Sequence, residues 1–119
     1  MRILLVDDHA DTLRVMVRMF AMRGHDVTTA ATLAEGRDLC ETGAFDLLIC
    51  DLKLPDGDGN ELAAVARDCK IPAISLSGLG MEQVARGDFD AHLRKPISFA
   101  QLDDTIAHVM AADGKHDPA

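Results

Sequence analysis

Two kinds of hydrophobic pattern alternate along this chain. Mostly apolar runs bounded by polar clusters fall at 2–6 (RILLV), 45–50 (FDLLIC) and 71–76 (IPAISL), and they read as buried strands. Two weaker runs join them: 26–30 (DVTTA), a Thr-rich stretch fit for a sheet edge, and 89–93 (FDAHL). Between the strands the apolar period becomes helical. Over 9–23, Leu13, Met16, Val17, Phe20 and Ala21 share one face, and Gly24 supplies the stop. Thr32 with Glu35 is a capping-box pattern, opening a helix that Gly43 closes. Over 59–69, Leu62, Val65 and Ala66 face inward, with Asp58 as the expected N-cap and Asp56 as a turn residue. Residues 77–80 (SGLG) read as loop, and 81–86 hold at most a two-turn helix. Ser98 with Gln101 repeats the capping pattern and opens a last helix to residue 112.

Strands and helices therefore alternate five times. That pattern specifies an α/β fold with a parallel sheet and helices on both faces. The first, third and fourth strands are the most apolar and belong at the centre. Right-handed crossovers then favour a five-stranded, flavodoxin-like doubly wound sheet of order 2-1-3-4-5. Residues 1–112 form one domain, and 113–119 (DGKHDPA) a polar tail.

Composition narrows the class. With 48% hydrophobic residues in 119, the chain can bury a real core. A net charge of -8 and the lack of Trp and Tyr argue against a nucleic-acid surface. Three widely spaced cysteines without a CxxC pair point to reduced, structural thiols and a cytoplasmic chain. No apolar stretch is long enough to span a bilayer, and the run after Met1 is too short for a signal peptide. A soluble monomer is expected.

The chemistry lies at the strand ends. Asp7 and Asp8 end the first strand, Asp51 the third; Ser77 follows the fourth and Lys95 the fifth. In such a sheet these ends meet at the ligand-binding edge. Three carboxylates this close repel one another and are tolerable around a hard cation. Mg²⁺ suits them, since it takes a few carboxylates and keeps waters or phosphate oxygens as its other ligands. A lysine can serve as a point charge for a phosphoryl group, and a serine hydroxyl can hydrogen-bond to it. Asp7 and Asp8 could instead simply complement a helix dipole. His9 reads as a first-turn helix residue rather than a metal ligand.

The motifs LLVDDH, LLICDLKLPDGDG, ISLSG and HLRKP, in this order and each at a strand end, resemble the receiver domain of two-component response regulators over essentially the whole chain. The spacing of Pro55 and Gly59 after Asp51 fits as well. The resemblance implies that Asp51 is the phosphoacceptor, with Lys95 and Ser77 assisting. It implies that Asp8, Asp51 and the backbone carbonyl of Lys53 hold Mg²⁺, with Asp7 helping. It implies a cis Lys95–Pro96 bond and switch roles for Ser77 and for His92, which stands where the family has Tyr or Phe. The donor is then a phosphohistidine on a sensor histidine kinase or a histidine phosphotransfer protein. The domain would signal through protein contacts, not as an enzyme turning over a separate substrate. Lys53 and Leu79 flank the path of the hydrolytic water in such a site, so a long-lived acyl phosphate is expected.

Two features depart from the family. The span from Ser77 to Lys95 is about one helical turn short, so the fourth helix should be stunted. No effector follows residue 112, which fits a stand-alone regulator or a receiver cut from a hybrid kinase. A phosphatase of the haloacid dehalogenase type is the enzymatic rival, but Asp51-Leu52-Lys53 lacks its second acid. A pseudo-receiver that binds without phosphorylation is the other rival, disfavoured by the intact acids. Helix 1 also carries a second apolar stripe, Val15, Met19 and Met22, flanked by Arg14 and Arg18. This is the expected docking face for the histidine-bearing helical bundle.

Overall fold

The computed structural model of the chain describes residues 1–78 and 87–114. The elements are β1 (Arg2–Val6), α1 (Ala10–Met22), β2 (Asp26–Ala30), α2 (Leu33–Thr42), β3 (Leu47–Asp51), β4 (Lys53–Leu54), β5 (Gly57–Asp58), α3 (Gly59–Asp68), β6 (Ala73–Ser77), β7 (Ala91–Arg94) and α4 (Phe99–Gly114). Five strands form one sheet of order β2-β1-β3-β6-β7, every pairing parallel. This is the expected 2-1-3-4-5 order, since β6 and β7 are the fourth and fifth strands of the main sheet. The short helix expected over 81–86, Leu79 and the end of the tail lie outside the described residues. The last helix reaches Gly114, two residues past its expected end.

Both faces of the sheet are covered, which explains the unbroken apolar runs. Ile3, Leu4, Leu5 and Val6 of β1 are all fully buried. Side chains alternate between two cores. Leu4, Val6, Leu48 and Cys50 pack under Leu33 and Cys40 of α2 and Leu62, Ala63 and Ala66 of α3. Ile3, Leu5, Leu47, Ile49, Ile74 and Leu76 pack under Met16, Met19 and Phe20 of α1 and Leu102, Ile106 and Val109 of α4. Each such aliphatic side chain contributes about 1.5–3 kcal/mol of burial energy before the entropy of ordering is counted.

The caps behave as read. Thr32 Oγ1 accepts from Glu35 N–H at 3.1 Å, Asp58 Oδ1 from Asn60 N–H at 2.9 Å, and Ser98 Oγ from Gln101 N–H at 3.1 Å. Gly24, at φ 76°, ends α1 in the left-handed region that glycine tolerates. The expected polar turn after β3 is instead a small antiparallel hairpin, β4 with β5. Asp56, at its tip, does more than turn the chain. Its carboxylate accepts the N–H groups of Leu33 (2.7 Å) and Ala34 (3.0 Å), tying the hairpin to the first turn of α2. Those two bonds hold its carboxyl below the ordinary value.

Helix α1 corrects one reading. Met19 lies three residues after Met16, so the 3.6-residue period places it on the core stripe with Met16 and Phe20, where it is 1% exposed. Ala21 is exposed instead, and Leu13 and Val17 are only partly buried. The outward stripe keeps Val15 (54% exposed) and Met22 (75%), with Arg18 between them in sequence and also exposed.

Candidate functional site

Chain order puts the four reactive segments at one edge of the sheet. Asp7 follows β1, and its N–H is held by Ala30 O at 3.0 Å. Asp51 is the last residue of β3, paired in register with Leu76 of β6. Lys95 follows β7 and is anchored by its N–H to Ser77 O at 2.8 Å. The Lys95–Pro96 bond is cis. A cleft of about 510 Å³ opens there, lined by Asp8, His9, Thr12, Asp51, Lys53, Leu54, Pro55, Gly78 and Lys95.

Lys95 Nζ bridges two acids, 2.7 Å from Asp7 Oδ2 and 3.3 Å from Asp51 Oδ2. Asp7 is fully buried and Asp51 nearly so, whereas Asp8 is partly open to solvent. Asp51 Oδ1 also accepts the N–H of Lys53 at 3.2 Å. Burial pushes Asp51 above the ordinary carboxyl value; the Lys95 charge opposes this and the Asp7 charge adds to it. Burial acts the same way on Asp7. There the hydrogen bond from Lys95, with those from the backbone and ring of His9, outweighs it and leaves the carboxyl below its ordinary value.

The expected acids and lysine therefore converge. Lys53 lines the cleft and is exposed. Ser77 is half-buried at the end of β6 and holds Lys95 through its carbonyl, while the neighbouring Gly78 lines the cleft. His92 lies on the sheet edge, exposed as a residue. Its Nδ1 is 2.8 Å from Oγ of the buried Ser75, and its ring meets Phe89 edge-on at 6.4 Å. Ser75 and His92 are paired in register, so the bond crosses neighbouring strands on one face. No sequence signal marked Ser75, which reads as one small residue inside an apolar run.

His9, read as a first-turn residue, is the N-cap position of α1, one place before its first turn, and its ring lies among the acids. Its Nδ1 stands 2.9 Å from Asp7 Oδ1, 3.3 Å from Asp8 Oδ1 and 3.7 Å from Asp51 Oδ2. Asp7, Asp8, His9 and Asp51 each bring one donor atom within 4.8 Å of the others. The carboxylates among these donors are hard oxygen ligands of the type Mg²⁺ takes, so the residues present fit that ion. The three cysteines are free, and only Cys69 is exposed. Burial raises the Cys40 thiol to about 11, as expected of an inert thiol.

Comparison with known proteins agrees with this geometry. A family model of the response regulator receiver domain matches residues 3–107. The chain is 35% identical over 107 residues to the transcriptional activator protein PfeR of Pseudomonas aeruginosa, covering 86% of this chain and 35% of that protein. It is 32% identical to the transcriptional regulatory protein CusR of Escherichia coli K12, covering 86% of this chain and 48% of that one. The chain thus spans less than half the length of these curated relatives. A CheY-like receiver domain from Methanospirillum hungatei superposes with a TM-score of 0.84 at 28% identity, covering 96% of both chains. The receiver domain of the sensor histidine kinase PA1611 from Pseudomonas aeruginosa, solved with a magnesium ion coordinated in its active site cleft, superposes with a TM-score of 0.80 at 24% identity, covering 92% of this chain and 97% of that one. No helix among the described residues is long and apolar enough to cross a membrane. With four motifs, the sheet order and the acid cluster all in place, the chain belongs to the response regulator receiver domain family.

Proposed function

We propose that this domain accepts a phosphoryl group on Asp51 from a phosphohistidine of a sensor histidine kinase or a histidine phosphotransfer protein. The observation that carries the reading is the Asp51 carboxylate itself. It ends a central strand at the floor of a cleft, with Lys95 Nζ 3.3 Å away and two further acids beside it. An Asp51 oxygen attacks phosphorus, the P–O bond forms as the P–N bond breaks, and the imidazole of the donor leaves with the electron pair. Lys95 holds a phosphoryl oxygen and offsets charge that Asp7 and Asp51 otherwise concentrate. Asp8, Asp51 and the Lys53 carbonyl would hold Mg²⁺, which supplies further charge neutralisation when bound. The Ser77 hydroxyl is the proposed partner of the phosphoryl group and, with His92, of the conformational response. The domain acts as a regulatory phosphoacceptor in the cytoplasm, where its kinase donor would find ATP.

Acetyl phosphate with Mg²⁺ should add one phosphoryl group, seen as a single mass increment. Asp51→Asn should abolish it. Persistent labelling in that variant would assign the acceptor elsewhere. Mg²⁺ alone should raise the Tm of the wild type by mass action, and Asp8→Ala should remove the shift.

The exposed stripe of α1 is the proposed donor-docking surface, now without Met19. Val15 and Met22 are exposed on the helix that begins beside Asp8. Val15→Lys with Met22→Lys should slow transfer from a cognate histidine donor by about tenfold, equivalent to about 1.4 kcal/mol of lost contact. Labelling by acetyl phosphate should be unchanged, because neither side chain lines the cleft. Equal rates with the histidine donor would remove the stripe from the interface.

A further inference from the structure

His9 stands at the mouth of the cleft, yet its Nδ1 is turned in among the acids. A ring nitrogen bonded to one carboxylate needs only one close approach; this one approaches three, at 2.9, 3.3 and 3.7 Å. Ligands 2.0–2.1 Å from a common ion stand about 3.3 Å apart at tetrahedral angles and about 3.0 Å apart at neighbouring octahedral positions. The three approaches of Nδ1 bracket those separations, and all four donors lie within 4.8 Å of one another. Imidazole nitrogen is a preferred ligand of Zn²⁺, Ni²⁺ and related ions, whereas Mg²⁺ takes oxygen.

We propose that His9 Nδ1 is a direct ligand at this site and gives it a mixed nitrogen and oxygen donor set, so that the cleft takes borderline divalent transition cations such as Zn²⁺ through His9 as well as Mg²⁺ through oxygen alone. This deepens the phosphoacceptor reading, since Asp51 is shared by both ions. The ring coordinates as neutral imidazole, with its hydrogen on Nε2 and the Nδ1 lone pair on the cation. Lys95 Nζ, 3.5 Å from Nδ1, is the resident positive charge with which the cation shares the acids.

Oxygen sites already favour Zn²⁺ over Mg²⁺, so the diagnostic is the change when the imidazole is removed. The full chain should be compared with His9→Gln by calorimetric titration of Zn²⁺ and, separately, of Mg²⁺. Both proteins should carry His25→Gln, because His25 Nδ1 and the N-terminal amine are 3.1 Å apart and could bind Zn²⁺ themselves. His9→Gln should weaken Zn²⁺ by at least about tenfold, the loss that even outer-shell changes cause, and Mg²⁺ by less than about threefold. Unchanged Zn²⁺ affinity, or equal losses for both metals, would each overturn the proposal. Failure of acetyl phosphate to label the wild type would instead overturn the phosphoacceptor reading alone, because Zn²⁺ binding is measured without phosphoryl transfer.

Discussion

Lys95→Met is expected to cost the metal-free chain about 3 kcal/mol and to lower its Tm by about 10 °C. Methionine keeps the length and most of the packing of the side chain but removes its charge. Asp7 is fully buried and its Oδ2 lies 2.7 Å from Lys95 Nζ, so the variant leaves a buried carboxylate without its cation. The pH dependence separates this cause from lost packing. Burial tends to lower the lysine, but the hydrogen bond and charge of Asp7, with the charge of Asp51, raise it above its ordinary value. Asp7 lies below its ordinary value. The Asp7 contribution is therefore present above the unfolded carboxyl range and is lost as pH falls through its lowered value. The Lys95 contribution is present below the unfolded lysine range and is lost only as pH rises through its raised value. In the variant, Asp7 keeps its bonds from His9 but loses the hydrogen bond and charge of Lys95 against an unchanged burial, so it takes up a proton more readily. The deficit should then be largest at neutral pH and shrink in mild acid. Mg²⁺ should restore part of it by supplying a second cation. Urea melts at the two pH values, with and without Mg²⁺, measure this; a deficit equal under all conditions would make Lys95 a packing residue only.

Gly59→Ala should be as damaging, although alanine is the better helix former by about 1 kcal/mol and Gly59 opens α3 with an ordinary negative φ. The reason is space. A Cβ there would overlap the carbonyl oxygen of Asp51 and stand 3.0 Å from Leu52 Cα. These are backbone atoms that cannot rotate away, and Gly59 N–H already donates to Leu52 O at 2.8 Å. Relief requires α3 to move away from the end of β3, at a cost of about 3 kcal/mol. The clash falls on the backbone of Asp51, the proposed phosphoacceptor, so acetyl phosphate labelling should fall by about 100-fold if strain carries that residue near 1 Å out of place. Gly78→Ala is the control: it also lies at the cleft, but among the described residues a Cβ there meets nothing within 4 Å, and its melt should match the wild type. A stable, active Gly59→Ala would mean that the approach of α3 to β3 is freely adjustable.

Local chemistry made much of this protein legible in one dimension. Strand runs such as LLIC are buried on both faces, so they need no partner to be recognised as apolar. Caps act within three residues, so Thr32 and Ser98 announced their helices. Strand order followed from apolarity and crossover handedness, and with it the meeting of Asp7, Asp51 and Lys95, because a parallel sheet delivers every carboxyl end to one edge.

What the chain could not announce depends on directions and distances in three dimensions. Met19 looked like a surface residue until the packing of α1 fixed which 100° sector faces the sheet; a helical period states spacing, not rotation. Asp56 looked like a turn residue because its partners, Leu33 and Ala34, are more than twenty positions away. Ser75 meets His92 only because the parallel register pairs them. His9 is the sharpest case. Sequence placed it beside two acids, but α1 begins at Ala10, and the turn that leads into the helix aims the ring back over the carboxylates. The order of residues along the strands determined which groups reach the site; the rotation of one helix and the path of one turn decided how they face one another.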